Sequence, residues 1–209
     1  MFAAGYQSAV AACFPEFDAP GLSCFAATTR EGAEPTRLTP DGNGWCLDGE
    51  KTWIAAVDHV ARLVVAVEMA DGPAFAHVAR GAPGVTLTNP GPAGFLAELS
   101  QGAARFEAVA IAEDALLPRP ERASRFRGAE PLYVCAALAA RLGCAEGVDR
   151  ARSLAATLDD RDATKAGLAT LRETLRTALP AFEAGPLPDG LRTSLVADRR
   201  LLQMFVRLD

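Results

Sequence analysis

A change of character near residue 125 constrains this chain more than any other feature. Before it, short apolar runs are cut every few residues by glycine, proline, asparagine and aspartate. After it, leucine and alanine recur at helical spacing. Period-2 runs bounded by turn residues cannot settle as helices, and a 3.6-residue stripe cannot settle as a strand. The pattern therefore predicts an α+β protein: an antiparallel β-barrel or sandwich domain followed by an α-helical bundle. The boundaries expected are a short N-terminal helical remnant at 1–20, a β-domain at 21–124 and a helical domain at 125–209.

Within the first part, residues 2 to 13 read as a helix ended before Pro15. Strands are expected at Ser23 to Thr29, Leu63 to Met69, Phe75 to Ala79, Val85 to Thr88 and Phe106 to Ile111. Asp41-Gly42-Asn43-Gly44 is a turn cluster. Asp48-Gly49 between Trp45–Leu47 and Lys51–Ile54 predicts a tight hairpin. In the second part, residues 130 to 158 read as one long helical region with Pro131 in its first turn. Leu168, Leu171, Leu175, Leu179 and Phe182 form a single helical stripe. Pro186 and Pro188 end that helix. Asp189 is placed to cap another, with Leu191, Leu195, Leu202 and Val206 on its apolar side.

The chain carries 21 Lys and Arg against 26 Asp and Glu, a net charge of −5, so it has no general attraction for nucleic acid or an anionic membrane. The arginine-dense stretch from Arg119 to Arg127 reads as a solvated connector. No apolar run reaches the length of a membrane span, and the N-terminus lacks a basic region before its apolar residues. The five cysteines, Cys13, Cys24, Cys46, Cys135 and Cys144, are scattered, and only His59 and His77 could join them. No metal site is expected, and reduced thiols in a cytoplasmic protein are the simplest reading.

Several words in the sequence resemble the acyl-CoA dehydrogenase family. Cys24-Phe25-Ala26-Ala27-Thr28 is similar to its C-F-A-L-T-E strand. Asp41-Gly42 through Trp45-Cys46-Leu47-Asp48-Gly49-Glu50-Lys51-Thr52-Trp53-Ile54 is similar to D-G-x-W/Y-x-L-N-G-x-K-x-W-I. Phe106 to Ile111 with Leu116-Leu117 is similar to the F-x-x-V-x-V-P-x-x-x-L-L that closes the β-domain. Leu142-Gly143-Cys144-Ala145 resembles the L-G-x-A of the first long helix. The order and spacing agree over about residues 20 to 150.

The resemblance implies an FAD-dependent oxidoreductase acting on CH–CH groups of an acyl thioester. It implies Phe25, Ala27 and Thr28 at the pyrimidine edge of the flavin and Trp53 against the ring. Ala55 falls where the family has a threonine or serine near the reactive flavin nitrogen. It also implies a homodimer or hetero-oligomer formed through the helical part.

The same alignment marks departures. Glu34 stands where the family has a phosphate-binding serine, with Arg30 and Gly32 as candidates to compensate through a shifted loop. Leu158-Asp159-Asp160-Arg161 lacks the Phe-Gly that follows the family's arginine. The chain is expected to lack most of the N-terminal helical domain and the end of the C-terminal bundle. The family's base falls beyond this chain or, in some branches, near Tyr133, where the nearest carboxylate is Glu130. No catalytic residue is assigned. Three readings stay open: a flavin-dependent oxidoreductase, a non-catalytic binding or assembly module that has lost FAD, and half of a split enzyme completed by a partner chain.

Overall fold

Valine and leucine at consecutive positions need apolar neighbours on both faces of a sheet, and the strand that carries them lies inside one. In a computed structural model, which describes residues 2–17, 20–32, 35–91, 99–186 and 199–206, this strand is β4 (Val60–Met69). Leu63, Val64 and Val65 are all buried, and β4 pairs with three other strands.

The β-rich unit contains β1 (Leu22–Ala26), β2 (Arg37–Asp41), β3 (Gly44–Ala55), β4, β5 (Gly72–Ala79), β6 (Val85–Thr88), β7 (Gln101–Ile111) and β8 (Leu116–Leu117). Their order is β6-β7-β3-β2-β4-β5-β8, and β1 adds to β4. The α+β class expected from the sequence is the class observed. Five of the seven strand pairings among the described residues are antiparallel, while β1 and β2 each run parallel to β4. A tight aromatic group, Phe14, Phe25 and Phe75, packs with ring centroids 5.1 to 5.8 Å apart.

The predicted hairpin at Asp48-Gly49 does not form. β3 runs straight through that dipeptide because its two halves pair with the same neighbour: Trp45–Leu47 against Ile111–Val109, and Gly49 onward against Phe106 to Gln101. The dipeptide is used as an irregularity in the ladder instead. Gly49 takes φ 122°, and the Asp48 carboxylate accepts a hydrogen bond from the Ala108 N–H at 2.8 Å. β2 and β8 were not expected; the first contains a proline and the second has two residues, so neither carries a strand signal.

The helical unit contains α1 (Phe2–Cys13), α2 (Glu121–Arg141, from Ala123), α3 (Ala145–Ala155), α4 (Arg161–Glu183) and α5 (Arg199–Val206). The long region expected at 130–158 is two helices, parted where Gly143 adopts φ 65°. The arginine-rich stretch expected to be a connector forms the first turns of α2, because arginine is a good helix former and α2 begins at Glu121. Pro131 therefore lies inside the helix. The leucine stripe lies on α4 with Leu168, Leu171, Leu175 and Leu179 buried. Asp160 caps that helix, its carboxylate accepting from the N–H groups of Asp162 and Ala163. Leu202 and Val206 are buried on α5; Asp189, Leu191 and Leu195 lie outside the described residues.

α1 docks on α2 by backbone approach: a Cβ on Gly5 would lie 2.6 Å from both the Tyr133 carbonyl oxygen and the Val134 Cα. Backbone cannot yield as a side chain can, so Gly5→Ala forces α1 away from α2. The expected loss is about 2 kcal/mol of stability, read as a lowered denaturation midpoint by far-UV circular dichroism.

Candidate functional site

The end of β3 departs from regular strand at Trp53. The register against β7 slips between Thr52 and Ile54, and Trp53, the extra residue, takes φ 61°. A bulky side chain seldom occupies that region, and such strain concentrates where a side chain must be aimed. The result here is an indole 58% exposed, one of two large apolar side chains among the described residues that face solvent.

The stretch following β1 lies directly beside it. The Thr52 N–H donates to the Thr28 carbonyl at 2.8 Å, and the Thr52 hydroxyl donates to the same oxygen at 3.2 Å. The backbone of Thr28 is thereby pinned one residue from the tryptophan. Ala27 and Thr28 are exposed, and among the described residues no hydrogen bond engages the Thr28 hydroxyl. The Phe25 ring is instead turned into the cluster with Phe14 and Phe75. The Ala55 N–H donates to the buried Cys24 Sγ at 3.3 Å, so that amide is used inside the sheet. The structure thus brings the five residues singled out in the sequence to the place where β1 and the segment after it meet the end of β3. Of these side chains, those of Thr28 and Trp53 are exposed and polar or aromatic.

Lys51, so far only a letter in a motif, belongs to the same place. It is 5% exposed, and its Nζ donates to the Thr29 Oγ1 at 3.1 Å and to the Ala27 carbonyl at 3.4 Å. Burial pushes its pKa down to about 8, opposed by the charge of Glu68. The available signal was a lysine in a strand otherwise bound for the core.

The remaining candidates stand elsewhere. Arg30 and Gly32 are exposed; Glu34 and Glu98 lie outside the described residues. His59 is exposed in a turn. His77 stacks on Phe17, rings 4.9 Å apart, and burial lowers its pKa. Glu68 and Asp71 are exposed and have no ion-pair partner among the described residues. Among those residues no group of three or more His, Cys, Asp or Glu could hold a metal ion, and no helix is long and apolar enough to cross a membrane.

In the helical unit, Arg161 is the exposed first residue of α4. Glu130 is different. It is half-buried on α2, with Phe126, Tyr133 and Val134 one turn away along the helix, and burial pushes its pKa up to about 7. That is the range in which a carboxylate exchanges protons at neutral pH.

No protein-family model and no curated protein matches this chain. Solved structures do. An FAD-dependent dehydrogenase is 16% identical with a TM-score of 0.68, covering 98% of this chain and 75% of that one. The ChsE4–ChsE5 complex from Mycobacterium tuberculosis is 17% identical with a TM-score of 0.56, covering 97% and 71%. A glutaryl-CoA dehydrogenase from Mycobacterium smegmatis is 16% identical with a TM-score of 0.60, covering 97% and 70%. The chain has the acyl-CoA dehydrogenase fold over nearly its whole length.

Glu130 gives this fold a pH signature that can be measured. Its folded pKa lies above the ordinary 4.5, so the native state holds the proton more tightly, and its contribution to stability is lost as pH rises from 4.5 through about 7. Glu130→Gln should be more stable than the parent at pH 8 by roughly 1 kcal/mol and close to it at pH 4.5. Denaturant titrations at the two pH values check this, and an equal offset at both would contradict it.

Proposed function

We propose that the β-rich unit holds the flavin of FAD along the edge made by Ala27, Thr28 and Trp53, and that the protein is a flavin-dependent oxidoreductase acting on a CH–CH bond of an acyl thioester. The observation that carries this is the pinned pair beside the end of β3: an exposed threonine whose carbonyl is held by Thr52, next to an exposed tryptophan whose backbone is strained to φ 61°. A hydroxyl and main-chain groups suit the hydrogen-bonding edge of a flat heteroaromatic ring, and an indole suits its face. Bound FAD would supply the hydride acceptor.

The chain's own residues do the rest. Thr28 orients the ring edge and helps stabilise negative charge there. Phe25 and Ala27 contribute main chain, with the Phe25 ring anchoring the strand in its aromatic cluster. Trp53 covers ring surface and excludes water. Ala55, its amide engaged by Cys24, leaves space beside Trp53.

A second reading has support of its own. With Ala55 carrying no hydroxyl and its N–H directed to Cys24, the position expected near the reactive nitrogen offers no donor. This favours a module that keeps the fold without turning over, as a binding or assembly partner of a second chain associated through the helical unit.

Trp53→Gly separates these readings. Glycine adopts φ 61° without strain, and an indole this exposed contributes little packing, so the variant should melt no lower than the parent. If the edge holds flavin, the parent purified with FAD shows flavin absorbance after desalting, and Trp53→Gly and Thr28→Val each retain it at least about tenfold less tightly. A parent that retains no flavin under any loading condition removes the oxidoreductase reading and leaves the non-catalytic one.

A further inference from the structure

The least expected group in the β-rich unit is the buried amine of Lys51. A lysine head group is strongly hydrated, and holding one inside a sheet is unfavourable unless its hydrogen bonds do something a hydrophobic residue could not. Leucine or methionine would fill the same space between β3 and the neighbouring strands at no desolvation cost. What the amine does is specific. Both of its described acceptors, the Ala27 carbonyl and the Thr29 Oγ1, belong to the segment that leaves β1 after its last paired residue, Ala26. The only other described tie on that segment is the pair of hydrogen bonds from Thr52 to the Thr28 carbonyl. Thr28 is thus bracketed: Lys51 holds the residue on each side of it, and Thr52 holds Thr28 itself.

We infer that Lys51 is a positioning residue, a buried clamp that fixes the segment Ala27 to Thr29 so that Thr28 meets a planar ligand edge. This rests on the flavin reading for the identity of the ligand, but the clamp itself does not depend on it. The charge that faces the amine is that of Glu68 on β4, which favours the ammonium; the acceptors on the β1 side are neutral, and the β7 residue opposite Lys51 is Ala104. With three protons to donate and two described acceptors, the ammonium is the form that serves as the clamp.

Two variants test it. Lys51→Met keeps the volume and removes the donors; Thr29→Val leaves Lys51 intact and removes one acceptor on a half-buried residue. The clamp is read from the amide exchange rate of Thr52, whose N–H bonds to Thr28, against that of Leu63 in β4 as an internal reference for global opening. In Lys51→Met the Thr52 amide should exchange at least about tenfold faster relative to Leu63, with the melting temperature equal or higher. Thr29→Val should shift the same ratio in the same direction by less. FAD retention should fall about tenfold in Lys51→Met.

An unchanged Thr52 ratio in both variants overturns the clamp. So does a parent that binds FAD together with a Lys51→Met that binds it equally well. If the Thr52 ratio rises while the parent itself retains no FAD, the clamp stands and the flavin reading fails.

Discussion

The ladder between β3 and β7 is the constraint on which the rest of the β-rich unit depends. It joins nine residue pairs from Trp45 to Ala55 and is broken twice, once next to Gly49 and once at Trp53. A regular twelve-residue strand would put its side chains alternately on two faces without exception. The break at Trp53 resets that alternation in β3, whereas at the first break the extra residue lies on β7, where Glu107 and Ala108 stand opposite the single residue Asp48. The first is held by the Asp48 carboxylate on the Ala108 N–H and by a glycine at positive φ. The second turns an indole outward at the point where the segment after β1 comes alongside. The strained Trp53 backbone is held by the ladder around it, since a residue at unfavourable φ persists only where its surroundings over-determine it.

Around that ladder the unit spends its polar groups sparingly. Thr36 is buried but donates to the Glu50 carbonyl at 2.9 Å, and Arg80 donates to the Val57 carbonyl at 2.5 Å. Lys51 follows the same rule, but its partners are loop atoms rather than strand atoms. A charge-assisted hydrogen bond is stronger than a neutral one, and it fixes a loop that has no ladder of its own. The segment after β1 is therefore held by a buried cation and by Thr52, with Thr28 and Trp53 exposed beside it.

The helical unit is built differently. The α4 leucines bury one stripe, and Asp160 supplies the acceptor that the first turn of α4 lacks within itself. The Arg172 Nε donates to the Phe205 carbonyl at 2.6 Å, tying α4 to α5. Within this framework the carboxylate of Glu130 is desolvated without a salt bridge among the described residues, which is why its affinity for a proton rises rather than falls.

Local patterning determined a great deal by itself. The strand-then-helix order, the α4 stripe, the N-terminal helix ending at Cys13, the bounds of β6 and the turn between β2 and β3 were all legible, because hydrophobic period and turn chemistry are properties of neighbouring residues. The motif around Trp53 was legible as a word, and so were Phe25, Ala27, Thr28 and Ala55. Tertiary structure decided what those words do. Asp48-Gly49 reads as a hairpin until a single neighbour, β7, pairs with both of its flanks. The arginines of the α2 start read as a connector until the helix extends through them. Whether Ala55 offers an N–H depends on Cys24, thirty-one residues away, and the burial of Lys51 depends on acceptors more than twenty residues distant. Sequence carries the period of each element, but which backbone groups are already satisfied is settled only when distant segments come together.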